Sequence, residues 1–219
     1  MGKWSANKST PLNVQWLRYP VVVLGVFIPY DEKKNDEHNF MLKLRKLQTK
    51  LDMWKARDLT LFGRVMIIKS LGLAKLIYSI SNLNVPDEII PNVKKRLFNF
   101  IWKNKRDKIK RESLYQDITA GGIRMVNFDV MIKALRLAWI PRLLSTETRN
   151  WKTIPDHYFK KCGGLNLLLR CNYDPKRLPQ MPTFYKDILT FFNDLKGLYS
   201  GDGFQELILF NNKIGRAHV

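Results

Sequence analysis

The sequence is poor in cysteine and has no long apolar run. It contains 2 cysteines in 219 residues, too few for a disulfide framework, and this indicates a reducing compartment. The longest apolar run, residues 21–28, is too short to cross a bilayer, and residues 1–10 lack the apolar segment of a secretory signal. These absences exclude a disulfide-stapled secreted domain and a membrane-spanning chain. They predict an intracellular protein, nuclear or cytoplasmic, without a membrane partner.

Acidic residues are also scarce. There are 19 of them against 38 lysines and arginines, so the formal net charge is +19. A field of this sign attracts polyanions, and nucleic acid is the first partner to expect. An anionic membrane surface or packing within a larger complex is the alternative. Apolar residues make up 45% of the chain, which is enough to build a core and argues against general disorder.

Apolar periodicity predicts a mainly α chain with a small N-terminal β element. Residues 21–28 are β-branched and continuous, which indicates one buried strand of a larger sheet. Helices with apolar residues at spacings of three and four then follow. The first has a stripe of Phe40, Leu44, Leu47, Leu51 and Trp54, and the third has a buried face of Ile90, Val93, Leu97, Phe100 and Ile101. We predict the helices from the possible N-cap Asp36 to Trp54, at 61–80 after the N-cap Thr60, from Pro86 or Pro91 to Trp102, from Asn127 or Asp129 to Leu144, and at 184–198.

Details of these segments give further expectations. The helix at 61–80 is apolar nearly all round, so it should be buried deep in a cluster, with close backbone approach at Gly63 and Gly72. Pro141 should kink or end the fourth helix. Residues 120–122, 151–155 and 163–164 are typical of turns or loops. A soft domain boundary is placed near 105–115.

Two neighbouring groups of basic residues carry more charge than solubility needs. Lys94, Lys95 and Arg96 lie together on the third helix, and residues 103–111 hold six basic residues against the single acid Asp107. The six are Lys103, Lys105, Arg106, Lys108, Lys110 and Arg111. Such a set predicts a surface that contacts phosphates without reading bases, the alternative being a solvated face. Trp102 could stack a base, although a tryptophan that ends an apolar stripe is more often core.

Arg64 and Lys69 are charged positions on the nearly apolar second helix. A charge there must reach solvent, pair, or contact phosphate. Gly63 would let a nucleic-acid backbone come close, and helix packing is the alternative. His157, Cys162 and Cys171 offer only three ligands without the short Cys spacing of zinc sites, so no metal site is predicted.

Several segments, taken in order, resemble the reverse transcriptases of non-LTR (LINE-type) retrotransposons. Residues 61–70, LFGRVMIIKS, resemble the family's LxGR-xxIIKS segment, and residues 98–105, FNFIWKNK, resemble its FxFIWxxK segment. Gly121-Gly122-Ile123 and residues 134–140, ALRLAWI, are similar to its GGI and AL+LAWI stretches. Leu24, Gly25 and Val26 are similar to the LG[VI] strand of the primer-grip hairpin. Order and spacing match over residues 20–150.

The resemblance implies a fragment of an RNA-directed DNA polymerase from just downstream of its active site. Residues 1–37 would be the end of the palm with a primer-grip-like strand, 38–105 a helical thumb-like bundle, and 106–213 a connecting region. The partners implied are an RNA template and a DNA primer, held as an RNA–DNA duplex, together with the palm, fingers and endonuclease of the same polyprotein. Arg64 and Lys69 would contact that duplex along with the basic residues named above.

Catalysis is expected outside these residues. Nucleotidyl transfer needs carboxylates that hold two metal ions, and the family supplies two of them from an aromatic-x-Asp-Asp turn upstream of the primer grip. No Asp-Asp pair occurs here, and Asp31 with Glu32 is interpreted as a solvated turn. No catalytic residue and no cofactor is therefore assigned, and Mg ions are expected in the palm.

The last six residues are interpreted as sequencing-adapter residues. Residues 214–219 are what ATC GGA AGA GCA CAC GTC encodes, a common sequencing-adapter read, so we exclude them from arguments on fold or site.

A stand-alone, non-catalytic RNA-binding module is one alternative to a polymerase fragment. A non-functional transposon relic is another, and Pro141 points to it because the family usually keeps that helix running.

Overall fold

The computed structural model describes residues 21–28, 37–147, 149–171, 174, 178 and 181–198. Within these ranges the fold is mainly helical with a two-stranded sheet near the N-terminus, as the sequence predicts. The possible N-cap Asp36, the Asp31–Glu32 pair and the suspected adapter residues 214–219 lie outside the described residues. In the part of the chain described, no helix combines the length and apolarity needed to span a membrane.

The elements follow one another in a simple order. The strands are β1 (Val21–Val23) and β2 (Val26–Ile28). A π-helical turn, Glu37–Met41, leads into α1 (Leu42–Lys55), and a second π-helical segment, Ile68–Leu73, joins α2 (Leu61–Ile67) to α3 (Ala74–Asn82). The remaining helices are α4 (Ile89–Ile101), α5 (Arg111–Tyr115), α6 (Phe128–Leu137), α7 (Trp139–Leu144), α8 (Thr153–Lys160), α9 (Leu165–Arg170) and α10 (Thr183–Leu198), with 3-10 turns at Ile118–Ala120 and Asn150–Lys152.

The N-terminal apolar run is a hairpin, so the prediction of one continuous buried strand is wrong. β1 and β2 pair antiparallel with Val21 opposite Ile28 and Val23 opposite Val26. Leu24 and Gly25 form the turn with φ angles of 49° and 78°, the left-handed values that a two-residue hairpin turn requires. The freedom of Gly25 lets the run fold back on itself. The side chains of β1 and of Leu24 are exposed.

The first hydrophobic cluster is built on α1. The predicted stripe of Phe40, Leu44, Leu47 and Leu51 is buried, and it packs against the second π-helical segment, α3 and α4. The buried face of α4 is confirmed at Val93, Leu97, Phe100 and Ile101, with Ile90 only partly buried. Gly72 is also close-packed as expected, because a Cβ built there would lie 3.0 Å from Leu47 Cδ1.

The second predicted helix differs from expectation in two respects. Thr60 caps it, its hydroxyl accepting from the Gly63 N–H at 3.2 Å, as predicted. Burial on all sides is wrong, because Phe62 and Met66 remain 50% and 61% exposed. Its α-helical hydrogen bonding is also interrupted by the π-helical segment. A helix that packs on only one side keeps the opposite face in solvent, whatever its composition.

Pro141 breaks the fourth helix, as predicted, but one turn before its own position. A proline has no N–H to donate to the carbonyl four residues back, here that of Leu137, and α6 ends at that residue. α7 then begins at Trp139 with Pro141 in its first turn, where a missing N–H costs no helical bond.

A second hydrophobic cluster follows this break. Its buried members run from Ile140 in α7 to Leu189 in α10 and include Phe159 and Leu168. The first cluster extends through Leu114 and Phe128 to Ile132. The domain boundary near 105–115 stays a prediction, and the change between the two clusters falls at the α6–α7 break.

Residues 151–155 were predicted as loop, and this is wrong. They form the end of a 3-10 turn and the first residues of α8, with Pro155 buried in its first turn. The turn at Gly163 and Gly164 is confirmed by φ angles of 90° and 94°, and the short α9 after it was not predicted. The final helix is confirmed as α10.

Candidate nucleic-acid interface

The basic segment begins where α4 ends. Lys103 and Asn104 both have left-handed φ angles, 49° and 60°, and the N–H of Asn104 donates to the carbonyl of Asn99 at 2.8 Å. These values turn the chain out of the helix axis and away from the core. The carbonyl end of a helix carries a partial negative charge, which favours cations there. This helix end therefore places the cations of residues 103–110 on the surface, where each is exposed.

Several of the predicted phosphate-binding residues keep their charge uncompensated. Lys95, Lys105, Arg106, Lys108 and Lys110 are exposed. Within the described residues, none of these five forms an ion pair. Lys69, on the π-helical segment, is half-buried and is likewise without an ion pair in the described part of the chain. Free cations at the surface are the groups that phosphates neutralise.

Three other predicted residues already have acidic neighbours. Lys94 pairs with Asp129, Lys103 lies 3.4 Å from Asp58 Oδ1, and the Arg111 Nε donates to Asp107 at 2.8 Å. Arg111 also places its guanidinium carbon 4.1 Å from the ring centre of Phe98. Solvent-exposed ion pairs contribute little free energy, so a phosphate can compete for these cations.

Arg64 and Arg96 connect helices. Arg64 donates to the carbonyl of Leu59 at 3.0 Å and to that of Ile101 at 2.5 Å, joining the start of α2 to the end of α4. Arg96 donates to the Gln48 side chain on α1 at 2.8 Å. Phosphate contact by these two residues stays a prediction. Trp102 is 8% exposed, which confirms its interpretation as core.

The hairpin that carries Leu24, Gly25 and Val26 is held by side chains that sequence reasoning missed. Asn39 accepts from the Phe27 N–H at 2.9 Å and donates to the Phe27 carbonyl at 2.7 Å. Lys43 donates to the Gly25 carbonyl at 3.3 Å and to the Ser79 hydroxyl at 2.5 Å. Burial lowers the pKa of Lys43, and the nearby charge of Lys46 lowers it further. The available sequence signal was the position of Asn39, a polar residue directly before Phe40, which begins a buried stripe.

Arg136 is the largest fully buried side chain in the described part of the chain, and sequence reasoning missed its role. It is 1% exposed and donates to the carbonyls of Ser81 and Leu83 at the end of α3. The indole N–H of Trp139 donates to the same Ser81 carbonyl at 2.8 Å. These carbonyls have no partner within the helix, so the two side chains cap α3 from α6 and α7. Arg136 lies four residues after the buried Ile132, and that spacing was the available signal.

The charge of Arg136 influences one acidic group nearby. Burial raises the pKa of Asp187 on α10, the charge of Arg136 opposes that rise, and the charge of Asp87 adds to it. Burial also lowers the pKa of Arg136, and Asp187 partly offsets this. α6, which carries Arg136, packs against both α3 and α10.

The described residues contain no group of three His, Cys, Asp or Glu side chains arranged to hold a metal ion. Cys162 and Cys171 are free thiols, both half-buried. What the described structure does present is a mainly helical, strongly basic chain with a cationic segment projecting from one helix end.

The chain is similar to a protein of a transposable element. No protein-family model matches it. It is 22% identical over 212 residues to the "Transposon TX1 uncharacterized 149 kDa protein" of Xenopus laevis. The match covers 91% of this chain and 16% of that protein, so the chain spans only a small part of its relative's length.

Proposed function

We propose that this chain is part of a non-LTR retrotransposon reverse transcriptase from just downstream of the polymerase active site, and that it binds the RNA–DNA template–primer duplex. The motif resemblance between residues 20 and 150, the mainly helical fold and the similarity to a transposon protein support the proposal. The single observation that carries it is a run of exposed cations that form no ion pair with any described residue: Lys105, Arg106, Lys108 and Lys110.

The first hydrophobic cluster would act as a thumb-like body for this contact. α1, the π-helical segment, α3 and α4 share one buried core, and Arg64 and Arg96 join α4 to its neighbours. Because that body is packed, the cations beyond the end of α4 would keep a defined position relative to it. Contacts of this kind bind phosphates of any sequence and give affinity and processivity rather than base specificity.

The hairpin would lie on the palm side of this body. Its turn at Leu24 and Gly25 is exposed, Lys43 of α1 donates to the Gly25 carbonyl, and Asn39 of the π-helical turn bonds Phe27 of β2. In the proposed function this turn serves as the primer grip. The catalytic carboxylates and their two Mg ions would belong to the palm, and no step of nucleotidyl transfer is assigned to the residues of this chain.

The test is a salt titration of duplex binding. A triple variant, Lys105→Gln, Arg106→Gln and Lys108→Gln, is compared with a control that removes three exposed cations on or next to α8 and α9, Lys160→Gln, Lys161→Gln and Arg170→Gln. Removing one cation that neutralises a phosphate lowers the slope of log affinity against log salt by about one. We expect the first variant to lower this slope by about two to three on an RNA–DNA hybrid.

The control variant should retain nearly the full slope of log affinity against log salt. An equal reduction in both variants would mean that only net charge matters, and it would move the contact away from the basic segment. A lower slope without any preference for a particular duplex sequence is the result that fits contacts to phosphates alone.

A further inference from the structure

Two adjoining cavities on the second hydrophobic cluster share Trp139 and Trp151 as a common wall. One has a volume of about 410 Å³ and is lined by further aromatic and apolar side chains: Ile154, Tyr158, Phe184 and Tyr185. The other has a volume of about 590 Å³, and beside the two tryptophans and Pro141 its lining holds the polar and charged residues Arg142, Ser145, Glu147, Arg149 and Lys152. Both volumes fall in the range of ligand-binding clefts. We call the two cavities together the tryptophan cleft.

The aromatic side of the cleft is held in place. The Trp139 ring packs edge-on against Trp151 with centroids 5.8 Å apart, and against Phe184 with centroids 5.5 Å apart. Its N–H is fixed on the Ser81 carbonyl. Trp151 keeps 38% of its surface exposed, so the cleft has a rigid aromatic wall with one ring open to solvent.

The polar side of the cleft has an excess of positive charge. Its lining includes Arg142, Arg149 and Lys152 against one acid, Glu147. Arg142 is exposed, with its guanidinium carbon 5.1 Å from the Trp139 ring centre and no ion pair in the described residues. Arg149 donates to Glu147 at 2.8 Å, and the buried Lys152 donates to the Ser145 carbonyl. Among the described residues Arg142 therefore has no acidic partner, and its charge lies beside an aromatic wall.

We propose that the tryptophan cleft binds single-stranded nucleic acid, with a base stacked on Trp151 and a phosphate held by Arg142. Aromatic faces next to cations are the features by which proteins hold unpaired strands, because every base has a face to stack and every linkage carries a negative charge. In a duplex the bases are already stacked on one another and cannot reach such a wall. The cleft thus supplies a site distinct from the duplex contact of the basic segment.

The charge of the lining favours this ligand over a protein segment. A purely apolar peptide would leave the positive side of the cleft without a partner, and a basic peptide would be repelled by it. A strand of nucleic acid matches both sides at once. The long-range field of a chain with a net charge of +19 also draws a polyanion towards the cleft.

The experiment measures binding of a fluorescently labelled oligouridine of about eight nucleotides, a length within the usual range of single-strand sites. Trp151→Ala should weaken binding about tenfold, since stacking of one base contributes about 1–3 kcal/mol and 1.4 kcal/mol is tenfold. Trp151→Phe keeps an aromatic face and should bind close to the parent chain. Arg142→Gln should lower the salt slope by about 0.7, the value for one phosphate of a single strand.

Matched controls separate the cleft from general effects. Phe62→Ala removes an aromatic ring that is 50% exposed on α2, outside the cleft, and Lys75→Gln removes one exposed cation of α3. Both should leave oligouridine binding within about twofold. Far-UV circular dichroism of each variant verifies that the total helix content of the chain is unchanged.

Three results would overturn the proposal. One is unchanged oligouridine binding in both Trp151→Ala and Arg142→Gln. Another is an equal reduction of binding in the Phe62→Ala and Lys75→Gln controls. The third is oligouridine binding that is unaffected while a proline-rich peptide occupies the cleft, which would make it a protein-docking site. The duplex salt titration of the basic segment is scored separately, so either proposal can fail without the other.

Discussion

Asn39 pairs its side-chain amide with both backbone groups of Phe27, accepting at 2.9 Å and donating at 2.7 Å. An adjacent β-strand would offer the edge of β2 the same pair of groups, one acceptor and one donor. Asn39 is 1% exposed, so its side chain is shielded from solvent. A two-stranded hairpin is marginally stable by itself, and this contact joins it to the helical body.

We expect Asn39→Ala to destabilise the chain by about 1–3 kcal/mol, because the N–H and carbonyl of Phe27 would be left without their partner in a partly buried place. The matched control is Asn92→Ala, which removes an exposed side-chain bond to the Glu88 carbonyl at 2.8 Å and should cost less than about 0.5 kcal/mol. Urea unfolding of both variants measures the difference. Equal costs would show that the Asn39 pair does not hold the hairpin.

Arg136 offers a second test of a buried polar contact. Arg136→Met fills a similar space but leaves the Ser81 carbonyl with only Trp139, and the Leu83 carbonyl without its donor from α6. The expected decrease is about 2–4 kcal/mol of unfolding free energy. The control is Lys133→Met on the same helix: Lys133 is exposed, pairs with Asp194 at 3.0 Å and lies 5.3 Å from the ring centre of Phe191. This control should change stability by less than about 1 kcal/mol. A stabilised Arg136→Met chain would mean that desolvating the guanidinium outweighs its bonds.

Asp187 makes stability depend on pH in a definite direction. Burial raises its pKa above the ordinary 3.8, with the Arg136 charge opposing and the Asp87 charge adding. The folded state therefore holds the proton more tightly than the unfolded chain does. This adds to the free energy of unfolding. The contribution is fully present below the pKa that Asp187 has in the unfolded chain, and it is lost as the pH rises through the higher pKa of Asp187 in the folded chain.

Asp187→Asn should remove this pH-dependent contribution to the free energy of unfolding. We expect the variant to gain stability relative to the parent chain at pH 7, and the gain to shrink as the pH falls towards 4. Thermal unfolding of both chains across that range measures it, and Glu147→Gln serves as the control for removal of an exposed carboxylate. A variant that is less stable than the parent at pH 7 would show that the attraction of Asp187 to Arg136 outweighs its desolvation.

The sequence predicts a good part of this fold because periodicity reports burial directly. The stripe from Phe40 to Leu51, the Thr60 cap and the last helix all follow from local patterns. Sequence periodicity could not predict the hairpin or the exposed side of α2, because both depend on which other elements pack against each face in the folded chain. For the candidate site, local charge density located the exposed cations after Trp102. It could not distinguish them from Arg64 and Arg96, whose bonds to other helices arise only in the folded chain.

Gly122 provides the last test, at a turn that the sequence predicted and that also belongs to the family resemblance. A Cβ on Gly122 would lie 2.2 Å from the Gln116 carbonyl oxygen, so the backbone itself would have to move. Two backbone bonds depend on this approach: the Arg124 N–H donates to that Gln116 carbonyl at 2.9 Å, and the Met125 N–H donates to the Leu114 carbonyl at 2.8 Å. The adjoining Gly121 has open space around its Cβ position and a φ of +79°.

Both glycines should therefore resist substitution, but for different reasons and by different amounts. Gly121→Ala is expected to cost about 1 kcal/mol, the penalty of a left-handed residue. Gly122→Ala should cost about 2 kcal/mol or more, because it displaces the turn on which the buried Leu114 and Met125 are packed. Chemical denaturation of the two variants ranks them. If Gly121→Ala were the more damaging, backbone conformation rather than close approach would account for the Gly-Gly pair.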